Sequence, residues 1–261
     1  MKVTVPLLQQ MKRDGRKIAA VLAADFRSLE IIDRSTVDIV LIADSAGVNI
    51  FGHRSPKETT MEELLLLCRG ARRAISRPFL LADLPFGACF PTIDDGVKNS
   101  VRLVKEGGAD GVKVESDTEN IGAVEAIARA GIPVMAHIGP TPQLQARLGG
   151  FEEARAAISD DELIDLARAM ERAGAFALDL TMGGDATPRV VDAVKIPVLG
   201  GRGTSADSDG QFLQLNRLAG WNASALDNDI PRYANLAQAL LDAVNAYAAD
   251  VKTGNLGKGR D

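Results

Sequence analysis

The run from Ala109 to Glu115 combines an apolar strand pattern with two side chains of opposite charge. Side chains alternate along a strand, so Val112 and Val114 face one way and Lys113 and Glu115 the other. A buried ion costs several kcal/mol, roughly, unless it is compensated. The pair therefore predicts either a polar pocket for a metal or an anionic substrate, or an internal salt bridge that joins two strands.

Other polar side chains follow the remaining apolar runs, where predicted parallel strands end. They are Asp44-Ser45, Asp83, His137, Asp179-Leu180-Thr181 and Arg202. Asp44, Asp83 and Glu115 form an all-oxygen set, which suits Mg²⁺ with water and substrate on its other positions. Zinc is disfavoured, because these strand ends offer a single nitrogen ligand and the chain has only two cysteines. Alternatively, each carboxylate is a helix cap or a structural ion pair.

His137 and Arg202 each permit two interpretations. His137 is predicted to bind substrate or to transfer a proton, and the alternative is a core histidine satisfied by the backbone. Arg202 lies among glycines and could hold a carboxylate or phosphate in a bidentate fork, or pair with a neighbouring acid.

Composition limits the classes of protein. The chain has 261 residues, a formal net charge of -5 and 46% hydrophobic residues, and α/β barrels commonly fill about 200–250 residues as one domain. The acidic balance argues against nucleic acid and anionic membrane surfaces as partners. No apolar run approaches the ~20 residues that span a bilayer. The N-terminus lacks a secretory signal, and a cytoplasmic location is expected.

Strand-like and helix-like segments alternate along the chain. The strand-like runs are 18–23, 37–42, 79–82, 110–115, 132–136, 176–180 and 196–199, and the helical patterns are 61–74, 92–107, 117–130, 160–173 and 231–251. Apolar strands of this kind are buried on both faces in parallel sheets. The pattern predicts an α/β fold, a single-domain (β/α)8 TIM barrel over residues 1–261. The prediction also includes a short N-terminal lead-in (1–16), a C-terminal tail (252–261) and an eighth strand near 218–226.

A doubly wound open sheet is the alternative fold. Long loops are expected at 47–59 and 139–158, where lids or binding loops are often found.

The motifs match those of a known family. They are Asp44-Ser45-Ala46-Gly47, Gly52-His53, Leu81-Ala82-Asp83-Leu84-Pro85-Phe86, Val112-Lys113-Val114-Glu115, His137-Ile138-Gly139 with Thr141-Pro142-Gln143, and Ile196-Pro197-Val198. With these, the chain resembles the ketopantoate (3-methyl-2-oxobutanoate) hydroxymethyltransferases of the phosphoenolpyruvate mutase/isocitrate lyase barrel superfamily. The resemblance implies Mg²⁺-dependent transfer of a hydroxymethyl group from 5,10-methylenetetrahydrofolate to a 2-oxo acid, in pantothenate biosynthesis.

The resemblance also implies roles for particular residues. Asp44, Asp83 and Glu115 match the metal-site acids, Glu115 through water. Ser45 and Lys113 match residues that bind the keto acid, together with His137 in the same pocket. A large homo-oligomer, a decamer of two rings, is implied as well.

The sequence departs from the family pattern at four positions: an aromatic of the family is replaced at Ala24, a histidine at Leu67, and Thr181 and Arg202 also differ. The glutamate that serves as the family's base at the end of strand six is Thr181 here, and Asp179 is either a displaced base or a buried structural acid. Arg202 intrudes into a glycine-rich segment. Two alternatives therefore stay open: another Mg²⁺-dependent carbon–carbon lyase, aldolase or mutase of the superfamily, and a non-catalytic metabolite-binding barrel.

Overall fold

A computed structural model describes residues 1–89, 92–181, 183–201, 204, 206–228 and 233–255. Eight parallel strands close into a barrel in the order of the sequence, which confirms the predicted (β/α)8 fold. The strands are β1 (Ile18–Leu22), β2 (Ile39–Ile42), β3 (Phe79–Asp83), β4 (Gly111–Glu115), β5 (Val134–Ile138), β6 (Ala177–Leu180), β7 (Val198–Gly200) and β8 (Gly210–Gln214).

Helices alternate with these strands. They are α1 (Val5–Arg13), α2 (Phe26–Asp33), α3 (Met61–Ala74), α4 (Ile93–Lys105), α5 (Ile121–Arg129), α6 (Pro142–Leu148), α7 (Phe151–Ala156), α8 (Asp160–Arg172), α9 (Thr187–Ala193), α10 (Leu215–Leu218), α11 (Ser224–Asp227) and α12 (Leu236–Thr253). The starts of α3, α4 and α8 are fixed by capping boxes, in which the side chain of Thr60, Thr92 or Ser159 and an acid three residues later satisfy each other's backbone N–H groups.

The predicted lead-in contains α1. Its Leu8 and Met11 are buried in one apolar cluster with Ile39, Leu41 and Phe79 of the barrel strands. Strands β2, β3 and β5 are buried along their whole length, as expected for strands covered on both faces.

The eighth strand was predicted in the wrong place. Residues 218–226 contain parts of α10 and α11, and β8 lies earlier, at Gly210–Gln214. In β8 the buried Gly210 and Phe212 alternate with the exposed Gln211 and Leu213. Because this alternation leaves no continuous apolar run, the pattern used for the other strands does not detect it.

The two predicted loops contain regular structure. The first holds a π-helical turn (Gly47–Phe51) and a 3-10 turn (Pro56–Glu58), and the second holds α6 and α7. Thr141 caps α6 by accepting from the backbone N–H of Leu144, and Pro142 occupies the first turn. The prolines and glycines of these segments therefore begin and end short helices.

The chain divides into two compact units, Met1–Phe212 and Leu213–Asp261. The first contains all the site residues described below. In the second, α12 buries only Ala237. None of the helices in the described residues is long and apolar enough to cross a membrane.

Candidate active site

Strand register gathers the predicted site residues at one end of the barrel. Asp83 is paired with Lys113 across β3 and β4, Glu115 with His137 across β4 and β5, and His137 with Asp179 across β5 and β6. Each of the five lies within the last three residues of its strand. The carboxyl ends of barrel strands are where active sites of this fold are found.

The ammonium group of Lys113 is the centre of this cluster. Its Nζ lies 3.2 Å from Asp179 Oδ2, 3.3 Å from Asp83 Oδ1 and 3.4 Å from His137 Nδ1. Lys113 is only 7% exposed. Burial lowers the pKa of Lys113, but the charges of the surrounding carboxylates outweigh it and the pKa is raised. The charge of Glu115, on the same face of β4, also contributes to the raised pKa of Lys113. Lys113 therefore stays charged.

The contacts of His137 determine its tautomer. An ammonium group can only donate, so Nδ1 accepts from Lys113 and the ring proton is on Nε2. Nε2 in turn lies 2.5 Å from Thr181 Oγ1 and donates to it. Burial and the nearby ammonium lower the pKa of His137 to about 4, which keeps the ring neutral. Because the Thr181 hydroxyl oxygen accepts from His137, its own proton is available for donation to another group.

Asp44 and Asp83 are adjacent in space. The backbone N–H of Asp44 donates to Asp83 Oδ2 at 3.1 Å. Burial raises the pKa of Asp83 to about 7; the ammonium of Lys113 opposes this shift and the charge of Asp44 adds to it. Burial also raises the pKa of Asp44. The positive charge near Asp44 and Asp83 is therefore too small to balance the negative charges of these two carboxylates.

Glu115 follows Lys113 by two residues on β4. Its Oε2 accepts from the backbone N–H of Gln143 at 2.9 Å, and the Thr141 hydroxyl also donates to it. Burial nevertheless raises the pKa of Glu115 to about 7, and the charge of Asp44 contributes to the rise. Glu115 and Asp44 are thus close enough for their charges to interact.

The donor atoms fit a hard cation. Asp83 Oδ1 is buried and makes no hydrogen bond of suitable geometry among the described residues, so a lone-pair site is available there. Those same residues include no preformed group of three or more His, Cys, Asp or Glu side chains that could hold a metal ion. Mg²⁺ needs only one or two carboxylates when water and substrate complete its octahedron. The three-carboxylate site predicted from the sequence therefore stays a prediction.

The remaining predicted residues fall into three groups. Ser45 is half-buried just after β2, and its backbone N–H donates to the Asp44 carboxylate. Asp179 is buried and ion-paired with Lys113, which is the environment expected for a structural acid. Arg202 lies outside the described residues.

Two further residues at the site, Thr141 and Gln143, have no role predicted from the sequence. Thr141 and Gln143 hold Glu115 through a hydroxyl and a backbone N–H. The sequence signal that could have identified them is the Thr141-Pro142 helix start. A cavity of about 320 Å³ opens beside Glu115 and is lined in part by Phe86 and Asn120. Neither residue type indicates a ligand by itself.

Comparisons with known proteins identify the family of the chain. The family model for ketopantoate hydroxymethyltransferase matches residues 2–258. The 3-methyl-2-oxobutanoate hydroxymethyltransferase of Moorella thermoacetica is 38% identical over 97% of this chain and 94% of its own. The enzyme of the same name from Anaeromyxobacter sp. (strain Fw109-5) is 37% identical over 96% of this chain and 84% of its own.

Solved structures show the same fold at lower identity. Phosphonopyruvate hydrolase in complex with oxalate and Mg²⁺ aligns with a TM-score of 0.64 and 18% identity, covering 97% of this chain and 88% of that one. 2,3-Dimethylmalate lyase, a PEP mutase/isocitrate lyase superfamily member, aligns with a TM-score of 0.63 and 13% identity over 100% of this chain and 92% of its own. These likenesses concern the fold. From the family match and the two close relatives together, it follows that the chain belongs to the ketopantoate hydroxymethyltransferase family.

Proposed function

We propose that the protein transfers a hydroxymethyl group to a 2-oxo acid, 3-methyl-2-oxobutanoate, with 5,10-methylenetetrahydrofolate as the one-carbon donor and Mg²⁺ as cofactor. The observation that supports this most is the buried ammonium of Lys113 between Asp83 and Asp179 at the carboxyl end of the barrel. A fixed positive charge in a water-poor site is suited to stabilise an oxyanion that forms during reaction.

The reaction requires removal of the proton on the carbon next to the keto group. The electron pair moves into the carbonyl and forms an enolate, whose carbon then bonds to the one-carbon unit. Both carbon–nitrogen bonds of the donor's methylene bridge break, and water supplies the oxygen of the new hydroxyl group. The donor leaves as tetrahydrofolate, whose two nitrogens take up the substrate proton and one proton of the water. Lys113 would stabilise the enolate oxygen, and the Thr181 hydroxyl, held through His137 Nε2, would donate to a substrate oxygen.

Asp44, Asp83 and Glu115 would hold the cation, Glu115 through water. When bound there, Mg²⁺ supplies Lewis-acid polarisation of the keto acid. Two observations support this assignment: Asp83 Oδ1 is ion-paired with Lys113 but makes no hydrogen bond of suitable geometry among the described residues, and the pKa values of all three carboxylates are raised. A cation would compensate the negative charge that the protein leaves unbalanced. Asp179 would fix the position of the Lys113 ammonium.

A homo-oligomer is part of the same proposal. On α12, Leu236, Leu240, Val244, Tyr247 and Val251 recur at helical spacing and are 43–64% exposed. A continuous apolar stripe of this kind is typical of a helix that packs against another chain. The resemblance implies a decamer, which light scattering of the purified protein would measure.

The experiment is a product assay by mass spectrometry with 3-methyl-2-oxobutanoate, 5,10-methylenetetrahydrofolate and Mg²⁺. We expect the hydroxymethylated 2-oxo acid from the wild type and its loss in Asp83→Ala. Lys105→Met, an exposed change at the end of α4, is the matched control and should retain activity. If the wild type gives no product with any branched 2-oxo acid, the proposal is wrong. Cleavage of hydroxylated or dicarboxylic 2-oxo acids in the same assay would instead identify a lyase.

A further inference from the structure

The Gly52-His53 motif has no part in the chemistry proposed above. It belongs to the segment between β2 and α3, which begins with the π-helical turn at Gly47–Phe51. Gly52 has a φ of 75°, in the left-handed region that favours glycine. The chain reverses there, and the His53 backbone N–H donates to the Gly47 carbonyl at 3.1 Å. The His53 ring lies directly against Gly47, because a Cβ on Gly47 would be 2.6 Å from His53 Cδ2.

Glu63 joins the His53 ring to the start of α3. His53 Nε2 lies 2.9 Å from Glu63 Oε1. An ionised carboxylate can only accept, so Nε2 carries the ring proton. The other oxygen, Oε2, accepts from the backbone N–H and the hydroxyl of Thr60 at 2.8 and 3.1 Å, as part of the capping box of α3. Hydrogen bonds from the Thr60 backbone and from His53 lower the pKa of Glu63. One carboxylate therefore ties the segment to a helix that is fixed on the barrel through the buried Leu64 and Leu65.

The same segment holds Asp44 from both of its ends. The Gly47 backbone N–H donates to the Asp44 carbonyl oxygen at 3.0 Å, and the buried Thr59 hydroxyl donates to the same oxygen at 2.7 Å. Gly47 and Thr59 are in close contact, because a Cβ on Gly47 would overlap Thr59 Oγ1. The Asp44 backbone N–H in turn donates to Asp83 Oδ2. Contacts therefore run from the His53 ring through Gly47 and Thr59 to the carboxylates of the site.

We propose that His53 and Glu63 are positioning residues of the keto-acid site. Their hydrogen bond keeps the 47–59 segment in the arrangement that holds Asp44 beside Asp83 before a ligand binds. Without this bond, a smaller fraction of the molecules is ready to bind, and the apparent affinity falls in proportion to that fraction. A bound keto acid restores the arrangement, so the rate at saturation is retained. The inference rests on the proposed function for the role of Asp44, and it adds the residues that fix its position.

Two replacements of His53 separate its hydrogen bond from its packing. His53→Leu keeps an apolar side chain beside Phe51, whose ring centroid lies 5.9 Å from that of His53, and removes the donor. His53→Gln keeps an N–H donor at a similar reach. The assay is proton exchange at the third carbon of 3-methyl-2-oxobutanoate with Mg²⁺. His53→Leu should raise KM on the order of tenfold, the lower end for one hydrogen bond to a charged group, and leave kcat unchanged. His53→Gln should stay near the wild type.

Thr59→Val tests the path between His53 and Asp44. It removes the hydroxyl that donates to the Asp44 carbonyl and should raise the same KM. Because both residues act on one segment, His53→Leu/Thr59→Val should raise KM by much less than the product of the two single effects. Arg54→Leu, a change at the next and exposed residue, is the matched control and should leave KM and kcat unchanged. An unchanged KM in His53→Leu, a lower kcat at unchanged KM, or effects that multiply in the double variant would overturn the proposal.

Amide hydrogen exchange separates this inference from the proposed function. Measured by mass spectrometry without ligand, peptides covering residues 44–59 should exchange their amide protons on the order of tenfold faster in His53→Leu than in the wild type. Peptides covering β4 and β5 should keep wild-type rates. Unchanged amide exchange over 44–59 would refute the positioning role even if the wild type is active. Failure of the proposed function would instead appear as the absence of substrate proton exchange in the wild type, and the amide exchange of 44–59 would still decide whether His53 holds the segment.

Discussion

Replacing Lys113 by methionine tests the electrostatic account of the site. The change keeps most of the side-chain volume and removes the charge that lies 3.2 Å from Asp179 and 3.3 Å from Asp83. At an effective dielectric constant of about 20, each pair contributes about 5 kcal/mol of Coulomb attraction. Desolvation of the ions offsets much of this, and breaking a buried pair typically costs about 3–5 kcal/mol. For a chain of this length we expect a fall in Tm on the order of 10 °C.

The loss of folding stability in Lys113→Met should depend on pH. In the wild type the pKa of Asp83 is already raised to about 7 by burial, and removal of the ammonium raises it further. A carboxyl whose folded pKa exceeds its unfolded value stabilises the fold at low pH, and this stability is lost as pH rises through the folded pKa. As pH rises, the wild type therefore stops losing this stability near pH 7. The Lys113→Met variant continues to lose it at higher pH, because its Asp83 has a higher pKa.

The assay is thermal unfolding followed by circular dichroism in EDTA-containing buffer at about pH 6 and pH 8.5. The deficit of Lys113→Met relative to wild type should be larger at the higher pH, by up to about 1.4 kcal/mol per pH unit for one proton. Lys105→Met should match the wild type at both values. A Tm within about 2 °C of wild type for Lys113→Met, or a deficit that shrinks as pH rises, would refute the reasoning.

Three further outcomes follow. Thr181→Val should cost about 1–3 kcal/mol, because the Nε2 proton of His137 loses its acceptor; thermal unfolding measures this, and Thr181→Ser should stay near wild type. Gly111→Ala should destabilise the barrel by about 1–3 kcal/mol or more, since its Cβ would lie 2.7 Å from the Pro133 carbonyl oxygen; an unchanged denaturation midpoint would contradict this. Glu162, whose pKa is lowered by hydrogen bonds at the start of α8, should stabilise the protein above its unfolded pKa; urea unfolding of Glu162→Gln should show a deficit at neutral pH that disappears as pH falls through the folded pKa.

Much of the fold was predictable because the parallel strands are continuous apolar runs. The β4 prediction was the most informative, because alternation alone placed Lys113 on the face opposite to Val112 and Val114. The position predicted for the eighth strand was wrong because β8 alternates buried and exposed residues and has no continuous apolar run. Helix α3 was predicted with its correct bounds, and its capping box explains the sharp start.

The site was predictable only in part. Strand ends gave the candidate residues, because parallel strands of a barrel present their carboxyl ends on one rim. The sequence did not reveal that Lys113, His137 and Thr181 form a hydrogen-bonded chain, because this depends on the register between β4, β5 and β6. The cavity beside Glu115 was also beyond sequence reasoning, since its walls come from segments far apart in the chain.

The central claim is that the buried Lys113 cluster binds a 2-oxo acid and stabilises its enolate. The most direct measurement is NMR observation of the third-carbon proton of 3-methyl-2-oxobutanoate in D₂O, with protein and Mg²⁺ but no folate. We predict that the wild type replaces this proton with deuterium well above the buffer rate and that Lys113→Met does not. Exchange at the buffer rate with folded wild-type protein, or undiminished exchange in folded Lys113→Met, would contradict the account.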